Sequence, residues 1–342
     1  MTHSASRAAQ RGFTMIELMV ALMLGLLVVG AASSIFLSNQ RVYGSTEAIN
    51  RIQENQRSAF EMLTRDIREA GTNPCLRFTS TVRPILQLSA PDAAYWGRFA
   101  DALVGTEAGN ADRITLYSAI GNVYSVTQHK KPADPITVAG NTAGLVNGQL
   151  LMLCNTDYGI VFSASGVTAG GSTVGHDSAA NCGTGFTPTP DPTKCTAASS
   201  GPGYCFWLGT VPVAPTVTDF ANCPAGIGQS PAYIVAPTDA LWTLEANGRN
   251  GQSLYRTVGG VRSEIAEGVT GLDISYKVGN GANYVSATAV ADWSRVTAVH
   301  VQMTFVAAQG ALSDTQRQGT NNAPLTRQLN DYIALRNHQD IQ

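Results

Sequence analysis

Apolar and polar positions divide the chain into three stretches with different periods. From Leu18 to Leu37 there is no charged residue, and a run of about 20 such residues spans a bilayer as a helix at about 1.5 Å per residue. Beyond it Ile49, Ile52, Gln56, Phe60, Leu63, Ile67 and Ala70 recur at intervals of three and four, the stripe of an amphipathic helix. On its other faces Glu47 and Arg51, Arg57 and Glu61, Glu61 and Arg65, and Arg65 and Glu69 stand four apart. Mixed pairs of this kind, worth about 0.2 to 0.5 kcal/mol each when exposed, mark a solvated face rather than a DNA-binding ridge. Gly71 and then Pro74 end the pattern. No proline precedes Pro74, so the spacing predicts one rod from Phe13 to about Ala70, roughly 80 to 90 Å long, with Gly25 and Gly30 as its weak points.

After Pro74 the period becomes that of strands. Short runs at Arg113 to Ile120, Gln149 to Cys154, Gly159 to Ala164, Tyr204 to Val211 and Ala232 to Ala236 lie between polar loops. Leu241 to Leu244 and Ser253 to Thr257 flank a Gly- and Asn-rich turn and read as a hairpin. Leu272, Ile274, Tyr276 and Val278 alternate with Asp273, Ser275 and Lys277, and Val299, Val301, Met303 and Phe305 repeat the alternation. These are strands of a half-buried antiparallel sheet, and the helix stripe supplies what such a sheet packs against. The stretch from Ser163 to Ser200, rich in Gly, Thr, Ser, Asn and Pro, reads as a surface insertion in the body, extending to about residue 230.

Composition narrows the class. Charged residues are 13% of the 342 and the net charge is -2, so no whole-chain electrostatic argument points to nucleic acid. All six cysteines, Cys75, Cys154, Cys182, Cys195, Cys205 and Cys223, lie on one side of the apolar run, which favours disulfides in an oxidising periplasm. The last four are separated by 12, 9 and 17 residues with no C-x-x-C pair, so no zinc site is expected. Six cysteines allow about 15 pairings. Pairing of the last four among themselves leaves Cys75 with Cys154, but spacing does not single this pattern out.

The N-terminal junction carries the sharpest signal. Arg7 and Arg11 precede the apolar run and no basic residue follows it directly, which places the N-terminus in the cytoplasm and the body outside. An ordinary secretory signal, cleaved at Gly30-Ala31-Ala32, fits the same outline. So does a plain membrane anchor. Neither explains Glu17, a carboxylate at the start of an apolar helix, where it is costly in lipid and calls for a partner.

Arg11-Gly12-Phe13-Thr14-Met15-Ile16-Glu17-Leu18 resembles the class III signal of type IV prepilins and type II secretion pseudopilins. The resemblance implies cleavage between Gly12 and Phe13 by prepilin peptidase and N-methylation of the new terminus on Phe13. Gly12 leaves the scissile bond sterically open. Glu17, in a filament core, would pair with the terminal amine of a neighbouring subunit's first residue, fixing register more than adding stability. The chain then divides into a cleaved leader (1–12), the membrane part of the helix (13–37), its amphipathic periplasmic part (38–71) and a β-rich body (72–342) holding the insertion at 163–230. The fold expected is α+β, a pilin fold with the long helix packed on an antiparallel sheet and a large disulfide-pinned loop insertion.

Ser253-Leu254-Tyr255-Arg256, then Gly268-Val269 with Leu272 and Tyr276, then Trp293 and the strand to Phe305, and finally Ile333-Ala334-Leu335-Arg336-Asn337 resemble PilW-type minor pilins and, more distantly, J-type pseudopilins. That resemblance implies a minor pilin that helps initiate a type IV pilus near its tip, supporting twitching motility, adhesion or DNA uptake. Its partners would be other minor pilins, the major pilin, the inner-membrane assembly platform and a tip adhesin. The size of the body favours the pilus over a pseudopilus. A membrane-tethered adhesive module, with Tyr204, Phe206 and Trp207 as an aromatic platform, is the alternative of another class. No G-x-S-x-G, H-E-x-x-H or P-loop occurs, so no catalytic residue, cofactor or metal is expected. His3, His129, His176, His300 and His338 are isolated in sequence, and Asp177 and Asp191 lack the arrangement of a calcium loop.

Overall fold

The structure, a computed structural model, describes residues 13–75, 82–87, 91–109, 111–129, 134–156, 159–181, 231–307 and 323–337. Gly12, Cys182, Cys195, Cys205, Cys223, the expected strand Tyr204–Val211 and the aromatic platform lie outside the described residues. In chain order the elements are α1 (Met15–Glu69), β1 (Val82–Pro84), α2 (Pro91–Gly97), β2 (Leu103–Thr106), β3 (Arg113–Ser118), β4 (Val123–Gln128), β5 (Ile136–Val138), β6 (Leu150–Cys154), β7 (Gly159–Ser163) and β8 (Thr173–Val174). After residue 230 come β9 (Tyr233–Val235), β10 (Thr238–Ala246), β11 (Gln252–Val258), β12 (Val261–Glu267), β13 (Val269–Val278), β14 (Tyr284–Val285), β15 (Val296–Val306) and β16 (Thr326–Ala334).

The long helix followed by antiparallel sheets is a broadly pilin-like α+β fold. α1 is unbroken through Gly25 and Gly30, and its 55 residues make a rod of roughly 80 Å. Its buried residues are Gly44, Ala48, Ile52, Ala59, Leu63, Thr64, Asp66 and Ile67, with Ala70 just beyond. This stripe is rotated from the one read by side-chain size: Ile49 and Phe60 sit at its margin, half-buried. Gly44, Ala48 and Ala59 let the helix axis approach the sheets closely, and small residues carry little weight in a pattern read from bulk hydrophobicity. The expected ion pairs Glu47–Arg51, Arg57–Glu61 and Arg65–Glu69 form at 2.6, 2.8 and 4.0 Å.

The strands between residues 269 and 334 make an antiparallel sheet in the order β14-β13-β15-β16. Its register pairs Leu272 with Met303, Ile274 with Val301 and Tyr276 with Val299, as a shared buried face requires. A second sheet, β12-β11-β10-β3-β2, contains the expected hairpin. The positive φ of Gly248 (72°) and Asn250 (59°) turns it. One core joins both sheets to α1: Leu63 and Ile67 of the helix belong to it together with Trp242, Tyr276 and Phe305. Asp112 pins the sheets together: its carboxylate accepts from the Ala108 and Ile274 N–H groups at 3.0 and 2.9 Å, and its own N–H donates to the Leu272 carbonyl.

A third sheet, β1-β7-β6-β9-β4-β5-β8, goes beyond the single sheet that the sequence called for. Strand β6 is nearly all apolar because both of its faces are covered. Leu151 and Leu153 enter one core with Phe162 and Ile234, while Met152 and Cys154 enter another with Trp96 and Phe99. Cys154 is bonded to Cys75, across 79 residues of sequence and 5.9 Å between Cα atoms, so the disulfide ties the exit of α1 to this sheet. The start of the segment read as a surface insertion is instead built into the sheet. β8 pairs with β5, Val174, His176 and Asn181 are buried, and the Asn181 side chain donates to the Ser163 and His176 carbonyls at 2.8 and 2.9 Å. Polar composition there reflects turns and satisfied buried amides, which the sequence does not separate from solvated loop.

The same region brings together His129 and His176, whose Nε2 atoms both donate to the Asp134 carbonyl, at 2.6 and 2.9 Å. Burial pushes the His129 imidazole down to about 4 from an ordinary 6.5 and lowers that of His176. A depressed folded pKa means that the unfolded chain binds more protons between the two values, so this stabilisation is complete above about 6.5 and is lost as pH falls toward 4. Urea unfolding of the detergent-solubilised chain followed by near-UV circular dichroism is expected to show a midpoint that drops across that window. A His129→Gln chain is expected to show a smaller drop.

Candidate functional site: the N-terminal helix

Thr14 is the N-cap of α1, and with Glu17 it forms a capping box. The Glu17 N–H donates to Thr14 Oγ1 at 3.3 Å, while the Glu17 carboxylate accepts from the Thr14 N–H and hydroxyl at 3.0 and 2.9 Å. The local rule is S/T-x-x-E, which satisfies helix-end donors reciprocally. Glu17 therefore occupies the first turn with a geometric reason, its charge complementing the helix dipole. The resemblance alone assigns Glu17 an intermolecular role and none to Thr14, whereas the Thr14-x-x-Glu17 spacing marks the capping box within the chain.

Phe13 stands free at the start of the helix, 85% exposed. From there to Leu37 sixteen large apolar side chains, Phe13 among them, are exposed, and none of the membrane-length window of α1 is buried in the body. A contiguous apolar surface of this size marks an association or membrane surface. Only from Gly44 onward does the body take up one face of the helix.

The join between helix and body is firm. Asp66, 6% exposed, accepts from Arg256 Nε and Nη2 at 2.6 and 3.0 Å and from the Trp242 indole at 2.9 Å. The Asn55 side chain donates to the Glu267 carbonyl at 2.8 Å. Past the last turn, Asn337 Nδ2 donates to the Ala70 carbonyl and to Thr72 Oγ1 at 3.1 and 2.8 Å, and the Gly71 N–H donates to the Tyr117 carbonyl. Gly71 does so with φ of 74°, a conformation that costs glycine little. A pull on the exposed half of α1 is thus transmitted to two sheets. Among the expected site residues, the structure places Phe13 just before the N-cap, Glu17 in the first turn, and Cys75 against Cys154, well apart from both. Asp66 and its partners were not singled out, because nothing in sequence marks which residue of a charged helix faces inward.

Residues 7–33 match the family model described as the prokaryotic N-terminal methylation motif. No curated protein and no solved structure matches the chain significantly. The matched motif, seated on a helix whose first half is apolar and uncovered, supports a type IV pilin-like protein.

Proposed function

We propose that this protein is a minor pilin of PilW type: a non-enzymatic subunit that is cleaved between Gly12 and Phe13 by prepilin peptidase and N-methylated on Phe13. Residues 13–37 hold it in the inner membrane with the N-terminus cytoplasmic and the body, residues 72–342, periplasmic. It then joins other minor pilins and the major pilin at the assembly platform, near the pilus tip and any adhesin there. The observation that carries this reading is the uncovered apolar half of α1 with Glu17 in its first turn. A plain anchor has no use for a carboxylate at that depth, whereas in a helix bundle the acid can leave Thr14 for a neighbour's terminal amine. Exchanging one hydrogen-bonded partner for another keeps the charge satisfied at each stage.

The test is Glu17→Ala in cells. We expect the variant to be processed and to remain in the membrane, and its amount in sheared filaments to fall by about tenfold or more, as loss of one partner of a buried charge pair implies. Undiminished incorporation would remove the assembly role of Glu17.

A further inference from the structure

Alongside the last turns of α1 lies a groove of about 360 Å³ lined by Phe60, Thr64, Arg65, Arg68 and Arg336 with two glutamates. The glutamates are already engaged: Glu61 with Arg57 at 2.8 Å and Glu69 with Arg65 at 4.0 Å. Arg68 and Arg336 are exposed and pair with no carboxylate among the described residues. Thr64 is 7% exposed, and its hydroxyl has no hydrogen-bond partner among the described residues. With three arginines against two glutamates, and with the Arg68 and Arg336 guanidinium groups and the Thr64 hydroxyl unpaired among the described residues, the hollow holds donors in excess of acceptors and a net positive charge. A carboxylate is the chemistry that fits it, since planar guanidinium matches a carboxylate with paired N–H donors. The groove lies some 27 residues beyond Leu37, about 40 Å along the helix, out of reach of lipid phosphates at the membrane surface.

We propose that this groove receives an aspartate or glutamate side chain from the adjoining subunit of the filament, so that assembly is registered a second time, at the level of the bodies. The inference rests on the pilin reading, because the same helix must bring a neighbouring chain alongside through its apolar half. It adds a charge-reading contact that depends on no residue of the N-terminal motif and that selects which subunit can sit there.

The full chain, with benzoylphenylalanine replacing Phe60, tests the proposal by photo-crosslinking in cells that make filaments. The expected product joins Phe60 to a peptide of another subunit that contains Asp or Glu. Arg68→Glu with Arg336→Glu should abolish that product and lower the chain in sheared filaments about tenfold, with processing and the urea midpoint unchanged. Reversing the charge of the cross-linked partner residue should restore it. The proposal is overturned if the double variant enters filaments as well as the unaltered chain does, if the product maps to a peptide without an acid, or if it maps to this chain itself. Those results leave the pilin reading standing. Absence of the unaltered chain from filaments overturns the pilin reading and the groove's role with it.

Discussion

Asp66→Ala will destabilise the body by about 3 to 5 kcal/mol, the usual cost of removing one partner of a buried ion pair. The carboxylate is the meeting point of α1 and the β10–β11 hairpin: Arg256 grips both of its oxygens and the Trp242 indole N–H donates to one of them. Without it the Arg256 guanidinium, whose side chain is only 23% exposed, and the indole of the fully buried Trp242 lose their acceptor. Asp66→Asn keeps one acceptor for the indole and is expected to cost less than the alanine variant. Urea unfolding followed by tryptophan fluorescence reads both. Protease cutting between Ile52 and Glu69 should accelerate in the same order, because the helix is the piece released. An alanine variant within 1 kcal/mol of the parent, a threshold set by the value of exposed pairs, would show that the pair is solvated and does not hold the helix.

Gly105→Ala will be nearly as damaging, for a reason of space. A Cβ there would lie 2.0 Å from the Tyr276 hydroxyl oxygen and 2.5 Å from its Cζ. Tyr276 has no exposure and is backed edge-on by Trp293, 4.8 Å between ring centres, so the ring has nowhere to retreat. Overpacking a core costs typically about 1 to 3 kcal/mol, and the rigidity of both neighbours puts this case near 3. Tyr276→Leu removes the clashing atoms. The double variant Gly105→Ala, Tyr276→Leu should therefore be more stable than the sum of the two single losses, a coupling that a double-mutant cycle measures. Strict additivity would mean that the two residues do not touch.

The legible part of this protein was the part governed by periodicity. The helix from Met15 to Glu69 and the strands around Leu272–Val278 and Val299–Phe305 stand where their periods put them, because burial on one face leaves a direct trace in residue order. The seven-stranded sheet was legible only in part: the runs Gln149 to Cys154, Gly159 to Ala164 and Ala232 to Ala236 hold β6, β7 and β9. But β1, β5 and β8 have only two or three residues, and β6, covered on both faces, has no alternation to show that these strands form a sheet of their own. The inward turn of Asp66 was not legible, since its spacing fits the solvated face as well as the buried one. His129 and His176 are 47 positions apart in sequence and meet because β4, which His129 follows, and β8 both pair with β5. At the N-terminus the residues of the motif were readable one by one, and so was the Thr14-x-x-Glu17 spacing of a capping box, whose reciprocal hydrogen bonds form in the folded first turn. Thr14 thus gives the acid a partner within the single chain before any neighbour is present.

The most direct measurement of the central claim is the intact mass and N-terminal sequence of the chain taken from membranes, with and without prepilin peptidase. A chain that begins at methylated Phe13 only when the peptidase is present is the predicted result. A chain that begins near Ala32, or that keeps Met1 in both strains, contradicts it and makes the protein a secreted or simply anchored domain.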